Sequence, residues 1–181
     1  MKKTTRGALA AAAAALLLVG GAGTLAYWTA EQTLSGGSVT SGELTLSAPT
    51  CDSDWVYAAG NASAGSTVTL IVPGDTIVKE CTFTIGAQGD NLEAAFSTPA
   101  TVPIATVPAS STFSANVAAT YTIGGTTAPA TITEANDGDT VTATIEVEFP
   151  FGDDTTINAN DTQDVVASLD AITVSLIQSE T

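Results

Sequence analysis

Two runs of strict alternation constrain this chain more than anything else in it. In "TFSANVAATYTI", Phe113, Ala115, Val117, Ala119, Tyr121 and Ile123 share one parity. In "TVTATIEVEFP", Val141, Ala143, Ile145, Val147 and Phe149 point one way, and Thr142, Thr144, Glu146 and Glu148 point the other. Side chains leave an extended strand on opposite faces in turn, so a repeat of two describes a strand with one buried and one wet face. Shorter runs at 43–47, 54–58, 67–72, 76–85 and 92–98 read the same way. A last run, 167–177, carries Leu169 on one parity and Ile172, Val174 and Leu176 on the other, which predicts a bulge near Asp170. Turn signals such as Pro73-Gly74-Asp75, Gly124-Gly125 and Asn136-Asp137-Gly138-Asp139 separate the runs at roughly ten-residue spacing. Pro99, Pro103 and Pro108 confine 97–111 to an extended connection or an edge strand. The expected fold is all-β, a single β-sandwich of jelly-roll or Greek-key type over 42–181.

The front of the chain has a different character. Lys2, Lys3 and Arg6 precede an apolar stretch from Ala8 to Val19, in which seven of the 12 residues are alanine. Twelve residues suit the apolar region of an export signal and fall short of the roughly 20 that a spanning helix needs. Gly20, Gly21 and Gly23 then oppose helix, and Thr24-Leu25-Ala26 offers small residues where a signal peptidase reads them. Residues 1–26 are therefore expected to be a cleaved signal peptide, with the cut between Ala26 and Tyr27 and no stable membrane insertion afterwards; an uncleaved anchor is the alternative.

That cut leaves 155 of the 181 residues and concentrates the charge. All 19 carboxylates lie at or after Glu31, and Lys79 is the single cation left, a formal charge of −18. Nucleic acid is excluded as a partner, because phosphate binding needs clustered Lys and Arg. Cys51 and Cys81 both survive the cut, and an even pair in an exported chain predicts a disulfide, with two buried thiols as the alternative.

The composition also narrows the chemistry. With no histidine, the commonest general base and zinc ligand is missing. No Ser-His-Asp or Cys-His arrangement can form. Glu146 and Glu148 share a strand face, so a glycosidase pair is conceivable, against the plainer reading of a solvated face. In "GDDTTINANDTQD", Asp153, Asp154 and Asp161 are candidate calcium ligands, although the loop lacks the EF-hand glycine and terminal glutamate. No other cofactor is expected. Lys79 stands on the parity of Ile77, Cys81, Phe83 and Ile85, the core side of its strand. Its stem can pack inward while the ammonium reaches water; the alternatives are a buried ion pair or an isopeptide cross-link.

"GGAGTLAYWT", "SGGSVTSGELTLS" and "VPGDTIVKECTFTI" together resemble the TasA/camelysin family of exported Gram-positive proteins. The closing "ASLDAITVSLIQ" is similar to the end of actinobacterial alternate-signal exported proteins. The resemblance covers both ends and the first third. It implies cleavage by a SipW-type signal peptidase, a jelly-roll domain, and a secreted subunit of extracellular biofilm-matrix fibres. In such a homopolymer the freed N-terminus of one subunit completes the sheet of its neighbour. Here Tyr27, Trp28, Ala30 and Leu34 would be the donor residues, within a donor and hinge segment at 27–41. Self-pairing of that segment and a frayed terminus are the alternatives. Camelysins are described as metalloproteases, but without histidine or an HExxH motif no peptidase activity carries over, and no enzyme is expected. The cysteine pair lies outside the resemblance. The competing readings are a monomeric secreted or surface adhesion module and a carboxylate-only hydrolase.

Overall fold

The computed structural model describes residues 29–109 and 112–180. Ala26, Tyr27 and Trp28, and with them the expected signal and cleavage site, lie outside the described residues. The chain divides into Met1–Val39 and Thr40–Thr181, and every described strand lies in the second unit.

The organising strand is the longest one. Strands β1 (Glu43–Leu46), β2 (Thr50–Cys51) and β3 (Val56–Tyr57) follow one another along one edge of β4 (Thr76–Gln88). Strand β5 (Ala94–Ser97) and β6 (Ile104–Val107) come next. Strand β7 (Asn116–Ile123), the short β8 (Thr126–Thr127) and β9 (Thr140–Glu148) then build the other side of the sheet, in the order β1-β4-β9-β7-β8. All pairings are antiparallel. The chain closes with β10 (Val166–Leu169) and β11 (Ser175–Gln178).

Alternation becomes two faces with different chemistry. Inward, the register sets Ile77 beside Val147 and Val117, Cys81 beside Ala143 and Tyr121, and Phe83 beside Val141 and Ile123. Ile85, Ile132, Val141 and Val147 are the largest side chains fully removed from water. Outward, Thr50, Thr82, Thr142, Thr122 and Thr127 stand abreast across five strands. β-branched hydroxyl residues facing one another suit a pleated surface that must stay wet. The Gly124-Gly125 turn has φ of 58° and 80°, the doubly positive backbone a two-residue hairpin needs, so β7 turns directly into β8. At the far end Asp137 continues the β4–β9 ladder with its side chain, accepting from the Ala87 amide at 2.8 Å.

The second layer is small. Strands β5 and β11 pair, as do β6 and β10, and the Asp170 amide donates to the Pro103 carbonyl between the two ladders. Residues 94–107 and 166–178 are thus one antiparallel ribbon interrupted in the middle, where 98–103 oppose 170–174. The ribbon packs Phe96, Ile104, Leu169, Ile172, Val174 and Leu176 against the large sheet. Phe96 stacks on Tyr121, with ring centroids 4.3 Å apart. The architecture is a β-sandwich with unequal layers.

Two details depart from the sequence-based expectations. The parity change at Asp170 is real, but it is made by a break in the ladder, with β10 ending at Leu169 and β11 starting at Ser175, and not by an added residue on this segment. The extra residue sits on the opposite segment. Residues 67–72 alternate like a strand yet form only an isolated bridge, Thr67 to Val56. Their place on the β4 edge is already taken by β3. They are held instead by the Val68 amide on the Trp55 carbonyl and by the Tyr57 hydroxyl donating to the Leu70 carbonyl.

Ile85→Ala should lower the free energy of unfolding by about 2–5 kcal/mol, seen as a lower urea midpoint at unchanged slope. Thr120→Val on the outer face should stay within about 0.5 kcal/mol of the parent.

Candidate binding groove at an open sheet edge

The edge of β4 that carries β1 to β3 is irregular, and the irregularity shapes a groove. After Leu46 faces Ile85, the Ser47 amide donates to the Thr84 carbonyl, and the Ser47 hydroxyl oxygen accepts from the Thr84 amide at 2.8 Å. Pairing resumes at Thr50 and Thr82, with one residue more on the edge strand than on β4. Ala48 and Pro49 form this bulge, a place where proline's missing donor costs no ladder bond. The Asp52 amide donates to the Glu80 carbonyl, so the neighbouring Cys51–Cys81 pair is a non-hydrogen-bonded one. Their Cα atoms are 4.0 Å apart and the sulfurs are bonded, making the disulfide that the even cysteine pair predicted.

Opposite this edge runs the segment from β10 to β11. Its inner neighbours are β6 and β5; on its outer side no ladder forms among the described residues. A cavity of about 490 Å³ opens between the two. Leu46, Pro49, Cys51, Trp55, Lys79, Cys81, Phe83 and Ile145 line it from the large sheet, and Leu169, Asp170, Ile172 and Val174 from the ribbon. Leu46, Trp55, Leu169, Ile172 and Val174 are only half-buried, and Pro49, Cys51 and Asp170 are exposed. A finished sandwich flank would cover such side chains. Here, among the described residues, apolar surface lies beside a strand edge that forms no ladder.

Lys79 enters the groove from the floor. It faces Ile145 across β4 and β9, on the core side as its parity implied. Its stem passes Trp55, with the ammonium 5.9 Å from the ring centroid, and Nζ donates to the exposed Ser53 carbonyl at 3.2 Å. The stem-in, head-out reading describes it. No ion pair to a carboxylate forms among the described residues.

The remaining sequence-derived residues lie elsewhere. Glu146 and Glu148 are exposed on the outer face, with Glu146 between Val78 and Ala118 and Glu148 accepting from Asn116 at 3.4 Å. They turn away from the groove. Asp153 serves its own turn: Oδ1 accepts from the amides of Thr155 at 2.8 Å and Ile157 at 3.2 Å, and Oδ2 accepts from the Thr156 hydroxyl. Those bonds, the Thr156 hydroxyl foremost, hold the Asp153 carboxyl well below the usual carboxylate range. The Thr112 hydroxyl donates to Asp161, and Asp154 is exposed. Among the described residues no three carboxylates or thiols converge as metal ligands. Of the expected donor residues, Ala30 and Leu34 belong to an exposed stretch without strand structure, and Leu34 is 89% accessible. Among the described residues no helix is long and apolar enough to cross a membrane.

The groove itself was not singled out from the sequence. The one available signal was a lysine on the parity of the core. Comparison with protein families, with characterised proteins and with solved structures finds no match for this chain.

Replacing Cys51 and Cys81 together by alanine opens a loop whose ends are 30 residues apart. It should cost about 3–4 kcal/mol in chemical denaturation. The Asp153 bonds contribute stability above the ordinary carboxylate pKa, and that contribution is lost as pH falls through the lowered native value. NMR titration should find the Asp153 carboxyl midpoint below the ordinary Asp value of roughly 3.9.

Proposed function

We propose that the chain is a secreted structural subunit that polymerises into extracellular matrix fibres by donating its freed N-terminal strand to the next copy. The observation that carries this reading is a pair of complementary deficits. Among the described residues, the sandwich has an edge without a ladder beside a half-buried apolar groove, and residues 29–42 form an exposed stretch that carries Leu34 and Val39 and no strand. Each deficit remedies the other: backbone pairing along the edge supplies affinity, and alternate side chains filling the groove supply register.

The dimensions agree. Residues 27–34 would span about 26 Å when extended, within the length of the β10–β11 segment at about 3.3 Å per residue. On one parity lie Trp28, Ala30, Gln32 and Leu34; on the other lie Tyr27, Thr29, Glu31 and Thr33. The first set is the apolar one and takes the groove side. Burying Trp28 and Leu34 would contribute about 1.5–3 kcal/mol each. Gly36 and Gly37, the latter with φ of 67°, allow the chain to turn between the donor and β1.

Export fits the same picture. A disulfide on an exposed edge is the chemistry of an oxidising compartment. Residues 1–26 act as the signal, and a SipW-type peptidase cuts between Ala26 and Tyr27, as the resemblance to the TasA/camelysin family implies. Before the cut the donor is tethered, so proteolysis licenses assembly. The subunit is not an enzyme on this reading, and a jelly-roll would be completed only when the donated strand joins the smaller layer.

Protein beginning at Tyr27 should form fibres in negative-stain micrographs and elute as large species on size exclusion. A variant beginning at Ser35 should stay monomeric. Fibres from that variant would remove the donor role from 27–34, and a monomer from both would favour the adhesion-module reading.

A further inference from the structure

One polar side chain interrupts each of the two apolar surfaces that strand donation would bring together. On the core parity of β4, Ile77, Cys81, Phe83, Ile85 and Ala87 are joined by a single polar residue, Lys79. On the groove parity of the donor, Trp28, Ala30 and Leu34 are joined by a single polar residue, Gln32. Lys79 stands half-buried on the groove floor, beside Ile145 of β9. Its ammonium carries three N–H donors, and among the described residues one of them is engaged, on the Ser53 carbonyl. Asp170 lines the ribbon wall of the same groove and forms no ion pair with it. We propose that the side-chain carbonyl of Gln32 in one copy accepts a hydrogen bond from Lys79 of the next, and that this contact fixes the register of the donated strand. The proposal rests on the strand-donation reading above and names the residue pair that selects one register for it.

Parity puts the two on one side. A strand that turns Ala30 and Leu34 to the floor turns Gln32 to the floor as well, because alternate side chains share a face. Glu31, on the other parity, faces away and takes no part. Under that strand the Lys79 ammonium and the Gln32 amide would both lose water, and a polar group so covered is costly unless it is hydrogen-bonded. Each supplies what the other lacks: the ammonium only donates, and the amide oxygen accepts. A charge-assisted bond of this kind is also stronger than a neutral one. Apolar contact alone discriminates poorly against a shift by two residues, since the same face stays down. With the pair in place, that shift sets Ala30 or Leu34 over the ammonium and Gln32 over apolar floor, stranding both polar groups. A single polar residue in an apolar seam selects register in coiled coils for the same reason.

The experiment measures the critical concentration for polymerisation of protein beginning at Tyr27. Gln32→Leu covers Lys79 with an apolar group, and Lys79→Met keeps the stem beside Trp55 while stranding the Gln32 amide. Each should raise the critical concentration about five-fold or more. The double variant Gln32→Leu/Lys79→Met sets apolar against apolar and should return to within about two-fold of the parent. A second measurement reads the register itself. In a Glu31→Gln background, Gln32→Glu places a carboxylate on the floor face, and carbodiimide treatment of the polymer should join residue 32 of one copy to Lys79 of the next through an amide. Thr33→Glu in the same background faces away and should give no such link. Gln32 lies in an exposed stretch outside the sandwich, so its variants report on assembly even if Lys79→Met folds poorly. An unchanged or lowered critical concentration for Gln32→Leu, a folded double variant that fails to recover, or a link from residue 33 in place of 32 would overturn the pair while strand donation stands. Polymer from the variant beginning at Ser35, or none from the parent, would overturn strand donation itself.

Discussion

The antiparallel ladder between β4 and β9 is the interaction on which the rest of this sandwich depends. Nine consecutive residue pairs, Thr76–Glu148 through Thr84–Thr140, fix two long strands in one register. A slip by one residue would turn Ile77, Phe83, Val141 and Val147 to water and bury Glu80, Glu146 and a row of threonines. No intermediate register is tolerable, so the two faces are decided together. Once they are, β7 has only one way to add to β9, and Ile145 and Val147 have their neighbours. The strands on the other edge of β4 are held less regularly. Three short pieces, a proline-containing bulge and a disulfide do there what one long strand does on the opposite side.

That asymmetry determines where the molecule is unfinished. A sandwich buries its core when both layers extend equally across it. Here the large sheet is four to five strands wide and the facing ribbon is two. Phe96 on Tyr121 and the edge-on contact of Phe113 with Phe149 complete the side under β7 and β9. Among the described residues no aromatic pair of that kind covers Trp55, Leu46 and Ile172. The disulfide keeps β2 on β4 and so preserves the wall of the groove, which explains why a covalent link belongs at this edge more than in the well-packed centre. Among the described residues, half-buried apolar side chains and an edge without a ladder thus lie side by side.

How much of this was legible in the sequence depends on whether the deciding contacts are local. The strands 116–123 and 140–148 announce themselves because alternation needs no knowledge of the partner. Lys79 could be placed on the core side of its strand for the same reason. Residues 67–72 misled, since Val68, Leu70 and Val72 alternate as well as any strand. What excludes them from the sheet is competition: β3 reaches the β4 edge first, and the loop is pinned by Tyr57 and Trp55 instead. The break at 170–174 was visible as a parity conflict, but its form was set by the prolines at 99 and 103 on a segment some seventy residues earlier. The disulfide followed from a count. The groove did not, because it exists only where β1, β2 and the β10–β11 segment are brought together by pairings remote in sequence.

For the strand donation proposed above, electrostatics bears on where copies would meet. Residues 27–181 carry −18, and like charge on every subunit opposes association through a field that salt screens over about 10 Å. A contact spread broadly over these surfaces would face that repulsion everywhere. A single inserted strand would confine the contact to a narrow apolar track, and residues 27–34 would bring just one carboxylate, Glu31, with them. Lys79, the one cation within residues 27–181, stands beside that track with its ammonium on the Ser53 carbonyl. Self-repulsion elsewhere would then disfavour lateral aggregation through the exposed Leu70, Val72 and Phe151. On the proposed strand donation, the charge that keeps the faces apart would leave the groove as a place where two copies gain by meeting.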